Sequence, residues 1–146
     1  MRHDPLLLQP DTYPHVRRLD TMFGDMDVQG HVNNVAIARF FEEARSSLHR
    51  AIRDVVPDAL SGMVLARVEI DYVRELSYPG VVDIAIGIRR IGTKSYQQAA
   101  ALFRDGACAA LSTATSVRVS PDRTHTVAIT DAERAALQKF RIRGAG

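Results

Sequence analysis

Two aspartates and a histidine stand close together in a short turn-like segment, Phe23 to Asn34, which precedes the longest amphipathic stretch of the chain. They are Asp25, Asp27 and His31. A positioned carboxylate can take a proton from water or attack an electrophile, but an Asp before a helix commonly serves as a turn or capping residue. Asp25 is expected to brace the turn by local hydrogen bonds. For Asp27, the residues alone leave both a structural and a catalytic role open.

The stretch after this turn has the period of an amphipathic helix. From Asn34 to Val55, apolar residues recur at alternating steps of four and three, which places them on one helical stripe. At the usual rise per residue this is a helix of about five turns, and one face of it must be buried. The stripe consists of Ile37, Phe41, Ala44, Leu48, Ala51 and Val55.

Alternating apolar and polar residues predict four strands after the helix. In the first, Val64, Ala66, Val68, Ile70 and Tyr72 form the expected core face. The other three run from Val82 to Ile88, Ser95 to Arg104 and Ala107 to Val119, and Asp105-Gly106 is typical of a hairpin turn. A weaker strand pattern, from Thr12 to Phe23, precedes the helix.

These elements predict an α+β architecture in which an antiparallel five-stranded sheet curls around one long central helix. A single domain is expected to include residues 1–146. Thr130 and Glu133 have the spacing of a capping box for a short helix that continues to Phe140. The residues after it are expected to fray; they include Arg141, Arg143, Gly144 and Gly146.

Composition excludes several classes of function. The net charge is only +2, and no aromatic residues alternate with the basic ones, so no nucleic-acid partner is expected. Cys108, the single cysteine, is expected to be a buried hydrophobe. The five histidines lack metal-ligand spacing. No apolar run is long enough for a membrane span or a signal-peptide core, which predicts a cytoplasmic protein with no membrane partner.

The turn and the helix also carry a family resemblance. Asp25, Asp27 and Gly30 fit an Asp-x-Asp-x-x-Gly turn, and Phe41 to Arg45 fits an aromatic-Glu-Glu-Ala-Arg-like run. Both resemble the 4-hydroxybenzoyl-CoA thioesterase family of the hotdog superfamily. The run from Gly30 to Asn34 is also similar to the Gln-His-Val-Asn-Asn signature of acyl-carrier-protein thioesterases. This resemblance implies a hotdog fold and a cofactor-free hydrolase that cleaves acyl-CoA, or acyl-carrier-protein, thioesters.

The resemblance assigns roles around the turn. Asp27 is the catalytic carboxylate, either a general base or a nucleophile that forms an anhydride. The backbone amide of Asn34, at the positive end of the helix, polarises the thioester carbonyl. Asn33 and Gly30 contact the substrate, with the Asn33 side chain as a possible N-cap. His31 orients water or substrate, or is structural; the aromatic-acid enzymes have an apolar residue here.

Other charged residues have two interpretations each. Arg90 and Lys94 bind the CoA phosphates, as the resemblance implies, or only keep a strand end soluble. Glu42 and Glu43 form a solvated face or pair with arginines such as Arg39 at helical spacing. A second hotdog clan uses a helix glutamate as its base, so one of the two is the reserve candidate.

Two other functions are compatible with the same fold. A hotdog hydratase would hydrate crotonyl-CoA, and a non-catalytic acyl-CoA-binding module would bind its ligand without releasing a thiol. Long strand edges such as Val64 to Arg74 need a cover, and hotdog proteins place their active site between two chains. A homodimer or homotetramer is therefore predicted.

Overall fold

The computed structural model describes residues 2–144 and contains every predicted helix and strand. Short 3₁₀ turns at Pro5–Leu8, Pro10–Thr12 and Phe23–Asp25 were not predicted. The main elements are β1 (His15–Asp20), α1 (Asn34–Val55), β2 (Met63–Tyr72), β3 (Val81–Ile91), β4 (Ser95–Arg104), β5 (Ala107–Arg118) and α2 (Asp131–Gln138).

The five strands form one antiparallel sheet in the order β1-β3-β4-β5-β2, and the sheet curls around α1. Phe41, Leu48 and Ile52 of α1 are fully buried among the inner side chains of the sheet. The predicted stripe is correct as far as Leu48, but Val55 is exposed. Steps of four and three average 3.5 residues per turn, whereas a helix has about 3.6, so the buried face shifts toward Ile52. The predicted hotdog architecture is confirmed.

One bulge changes the facing of residues in β2. Met63 and Ile70 both pack on the inner core, although strict alternation would put residues seven apart on opposite faces. The pairing with β5 shifts between Leu65 and Arg67, so Ala66 is an extra residue. The predicted core face is therefore correct beyond the bulge and wrong before it, because Met63 and Leu65, rather than Val64 and Ala66, face inward.

The outer face of the sheet has its own apolar layer. Ala99, Ala101 and Phe103 pack there with Tyr13 and Ile142. The chain after α2 is docked by backbone bonds, since the N–H groups of residues 142 and 143 donate to the carbonyls of residues 88 and 12 at 2.9 and 2.8 Å. The prediction that the chain frays from residue 141 is therefore wrong for the described part of the tail. Gly146 lies outside the described residues.

Cys108 lies in this outer layer and is buried, as predicted. Burial raises the pKa of its thiol, which keeps it protonated and unreactive at neutral pH. Among residues 2–144, no helix is both long and apolar enough to cross a membrane.

Candidate active site

Asp25 holds the turn against the helix. Its buried side chain accepts a hydrogen bond from the N–H of Met22 at 2.7 Å, and its backbone carbonyl accepts one from Asn33 at 2.8 Å. The predicted bracing role is confirmed. The same carboxylate forms an ion pair with Arg39, one turn and a half into α1. Arg39 was expected to pair with helix glutamates; the pair with Asp25 instead links the turn directly to α1.

Asp27 is fixed through one of its two carboxylate oxygens. Oδ1 accepts the N–H groups of Gln29 and His31 at 2.8 and 3.1 Å. The turn closes because the N–H of Gly30, which has a left-handed φ of 79°, donates to the Asp27 carbonyl at 3.1 Å. The side chain is exposed, and Oδ2 has no hydrogen-bond partner within the described part of the chain. The turn therefore orients the carboxylate and leaves one oxygen available.

The N-terminus of α1 lies beside this carboxylate and supplies free amides. The Asn33 side chain caps the helix by accepting the N–H of Ala36 at 2.8 Å, so the proposed N-cap is confirmed. The N–H groups of Asn34 and Val35 have no acceptor within residues 2–144. Free N–H groups and the positive end of the helix dipole favour a negative oxygen at this position.

Three of the predicted site residues, Asp27, His31 and Asn34, line one cleft of about 320 Å³, between the start of α1 and the segment after β2. Ile37 and Tyr72 give it apolar walls. His31 is partly buried, and its Nε2 lies 3.5 Å from a carboxylate oxygen of Glu75. We call this space the Asp27 cleft. Gly30 closes the turn by a backbone hydrogen bond, and Asn33 caps the helix, so both residues shape the Asp27 cleft. Their contact with a substrate stays a prediction.

Arg90 and Lys94 do not reach the Asp27 cleft of their own chain. Arg90 is exposed near the far end of β3, and Lys94 lies in the turn that follows. The Asp27 cleft lies at the other end of the sheet, where β2 ends and β3 begins. β3 has 11 residues and spans roughly 35 Å at the usual rise per residue. Within one chain, Arg90 and Lys94 therefore lie far from the Asp27 cleft.

A buried polar cluster was missed at the sequence level. His49 is not part of the predicted apolar stripe of α1, yet it packs against the sheet, where its Nε2 lies 2.5 Å from the Tyr96 hydroxyl and 3.4 Å from Nε2 of Gln98. One sequence signal was present: Tyr96 and Gln98 alternate in step with Ala100 and Leu102 of the core face. A glutamine in such a register needs a partner across the core.

Solved structures share this fold and most of the chain length. A predicted thioesterase from Bacillus stearothermophilus is 28% identical, with a TM-score of 0.76 over 86% of this chain and 95% of that one. A thioesterase from Thermus thermophilus, solved in complex with coenzyme A and Zn, is 26% identical, with a TM-score of 0.77 over 88% and 95%. A Pseudomonas aeruginosa protein, 24% identical, shares the fold with a TM-score of 0.80 over 93% and 97%.

The fold is thus that of hotdog-fold thioesterases. Residues 21–137 match the model of the Thioesterase-like superfamily, and the chain belongs to that superfamily. This span includes both the Asp27 turn and all of α1. No curated protein gave a match.

Proposed function

We propose that this protein is an acyl-CoA thioesterase that hydrolyses its substrate to a free acid and CoA, with Asp27 as the catalytic carboxylate. The observation that carries the proposal is the Asp27 carboxylate itself, held through Oδ1 by two backbone amides while Oδ2 stays open. Free amides of the helix start lie beside it. The coenzyme A bound by the similar Thermus thermophilus thioesterase supports CoA as the thiol.

Two chemical routes are compatible with this geometry. As a base, Oδ2 takes a proton from water while the water oxygen attacks the thioester carbon, the carbon–sulfur bond breaks, and the CoA thiolate leaves and is protonated. As a nucleophile, Oδ2 attacks the same carbon, giving an anhydride and CoA, and water then cleaves the anhydride. In both routes the Asn34 amide donates to the carbonyl oxygen as negative charge develops.

The proposal includes a homo-oligomer built on β2. This edge strand leaves Leu65, Val68 and Tyr72 between 38% and 51% exposed on its inner side, an apolar edge that a second copy could cover. If two β2 strands pair antiparallel across a two-fold axis, the Tyr72 end of one strand lies beside the partner's Met63 end. That pairing brings Arg90 and Lys94 of one chain toward the Asp27 cleft of the other.

Light scattering checks the assembly. We expect the mass of a dimer or tetramer at micromolar concentration, and loss of both assembly and activity when Val68→Lys places a charge on the edge. A fully active monomer would refute the shared site. Arg67→Lys, on the outer side of the same strand, is the matched control.

The activity is tested by release of free thiol from short, long and aromatic acyl-CoAs, and from an acyl-acyl-carrier protein. We expect release from at least one CoA thioester at a rate well above the uncatalysed one. Tight binding without thiol release would favour the non-catalytic module, and hydration of crotonyl-CoA without thioester cleavage would favour the hydratase. The cytoplasmic location stays a prediction.

A further inference from the structure

A second cleft, of about 510 Å³, opens between the C-terminal half of α1 and the start of β2. We call it the basic cleft. Arg45, Arg50 and Arg53 lie along its helix side, and Met63 and Leu65 form an apolar wall on its strand side. Nothing in the hydrolysis described above uses these residues.

The charge of the basic cleft is not balanced. Among the described residues that line it, Glu42 is the one acidic residue. Arg50 bonds the hydroxyl of Ser46 at 3.0 Å, and Arg53 bonds a backbone carbonyl, so neither is paired with a carboxylate. Arg45 is partly buried, and within residues 2–144 it has neither a hydrogen-bond acceptor nor an acidic group within 4.0 Å. Burial lowers the pKa of Arg45; a cation that has lost water in this way is stabilised by a bound anion.

The floor of the basic cleft adds a neutral donor. Burial, with Arg53 and Arg45 nearby, lowers the pKa of His49 to about 4, so the ring is neutral at pH 7. Burial also raises the pKa of Tyr96, which keeps its hydroxyl proton. The Tyr96 hydroxyl and the Gln98 amide both lie next to Nε2 of His49, where they can donate to it. In the tautomer that accepts at Nε2, the ring proton lies on Nδ1, which has no acceptor within the described chain.

Within one chain, the basic cleft and the Asp27 cleft lie at opposite ends of β2. Met63 and Leu65 of the basic cleft lie at the start of β2, whereas Tyr72 of the Asp27 cleft lies at its end. In the antiparallel β2 pairing proposed above, these two ends meet. In that arrangement Asp27 of one chain and Arg45 and His49 of the partner lie at the same end of the joined strands.

We propose that the basic cleft binds the distal carboxylate of a dicarboxylic acyl group whose thioester is held at the partner's Asp27. This inference rests on the proposed thioesterase function and gives it a substrate class. Arg45 supplies the charge, His49 supplies a neutral N–H donor, and Met63 and Leu65 contact the methylenes between the two ends of the acyl group. With a neutral acyl chain bound, Glu42 would remain the one negative group of the described residues in a cleft lined by three arginines.

The test compares glutaryl-, adipyl- and suberyl-CoA with the neutral acyl-CoAs of the same carbon number. We expect the parent protein to have a kcat/KM at least about tenfold higher for one dicarboxylic thioester than for its neutral match. Arg45→Gln should reduce this ratio by about tenfold, and Arg45→Lys by less. Lys139→Gln, which removes a charge from the exposed end of α2, should keep the parental ratio. Thermal melts check that each variant is folded.

Three outcomes would overturn the proposal. The parent protein could show no preference, the Arg45→Gln variant could keep the parental ratio, or Arg45→Gln could weaken the binding of free CoA and of every thioester equally. The last would mean that Arg45 binds a CoA phosphate. If no thioester is cleaved, the proposed function fails by itself. Calorimetry then still tests the basic cleft, because it measures the affinity of the Asp27→Asn variant for glutaryl-CoA and for valeryl-CoA without chemistry. Equal affinities would overturn the proposal.

Discussion

The two ends of α1 hold polar groups in opposite ways. At the N-terminus, the exposed Asp27 carboxylate is positioned by backbone amides of its own turn. Near the C-terminus, the His49 ring is partly buried and positioned by side chains of β4. Backbone amides leave the charge of a group intact and one oxygen open, which suits a reacting group. Burial and the neighbouring Arg53 and Arg45 lower the pKa of His49 and keep its ring neutral, which suits recognition of a ligand. The comparison predicts different responses to mutation at the two ends.

The largest effect is expected at the exposed end. Asp27→Asn keeps the shape of the side chain but removes the base and nucleophile, so turnover should fall by about a hundredfold or more. Substrate binding should persist, because the helix amides are unchanged. Steady-state release of CoA thiol measures the loss, and circular dichroism verifies the fold.

Three variants separate this role from its alternatives. Asp25→Asn breaks the ion pair between the buried Asp25 and the half-exposed Arg39 and should lower the free energy of unfolding by about 2 kcal/mol, with the loss in stability rather than in chemistry. Glu42→Gln and Glu43→Gln test the reserve base. If folded Asp27→Asn keeps parental turnover while a glutamate variant loses it, the base lies on the helix and the assignment of Asp27 is wrong.

The next effect concerns the free energy of unfolding and His49, near the C-terminus of α1. An unfolded histidine has a pKa of about 6.5, whereas that of His49 in the folded protein is about 4. The folded state therefore binds fewer protons, so stability from the neutral ring is fully present above pH 6.5 and is lost as pH falls toward 4. The loss amounts to roughly 3 kcal/mol.

Urea unfolding of the parent and of His49→Gln, at about pH 7 and about pH 4.5 and at one protein concentration, measures this contribution. The parent should lose more free energy of unfolding than the variant over this interval. His15, whose pKa is also lowered, is present in both proteins and cancels in the difference. Parallel losses in the two proteins would mean that His49 is solvated and that the two ends of α1 do not differ as described.

The smallest effect is expected at the far end of the sheet. Arg90→Ala or Lys94→Ala should raise KM for acyl-CoA by about tenfold while changing kcat little, because phosphate contacts lie away from the reacting carbonyl. Lys139→Ala is the control for loss of a surface charge. Parental affinity for CoA in both variants would show that Arg90 and Lys94 only solubilise the strand end.

The sequence predicted those features of the fold and the site that depend on residues close together in the chain. α1, the hairpin at Asp105 and the bracing of the turn by Asp25 all depend on residues a few positions apart. The ion pair of Asp25 with Arg39 and the contact of His49 with Tyr96 join separate elements, and no local pattern marks them. The bulge at Ala66 was missed for a related reason: an extra residue changes the facing of a strand without changing its composition.

The strand order has a further consequence for how the chain folds. β3, β4 and β5 follow one another in sequence and are neighbours in the sheet, so their pairing requires only short loops to close. β1 and β2 form the two edges of the sheet. β1 pairs with β3, and β2 pairs with β5, so whole elements lie in sequence between the two strands of each pair. Loop-closure entropy therefore favours the central meander as the early structure, with the edges added later. The β2 edge that would bind a second copy is then completed late, which shortens the time for which it can pair with a wrong strand.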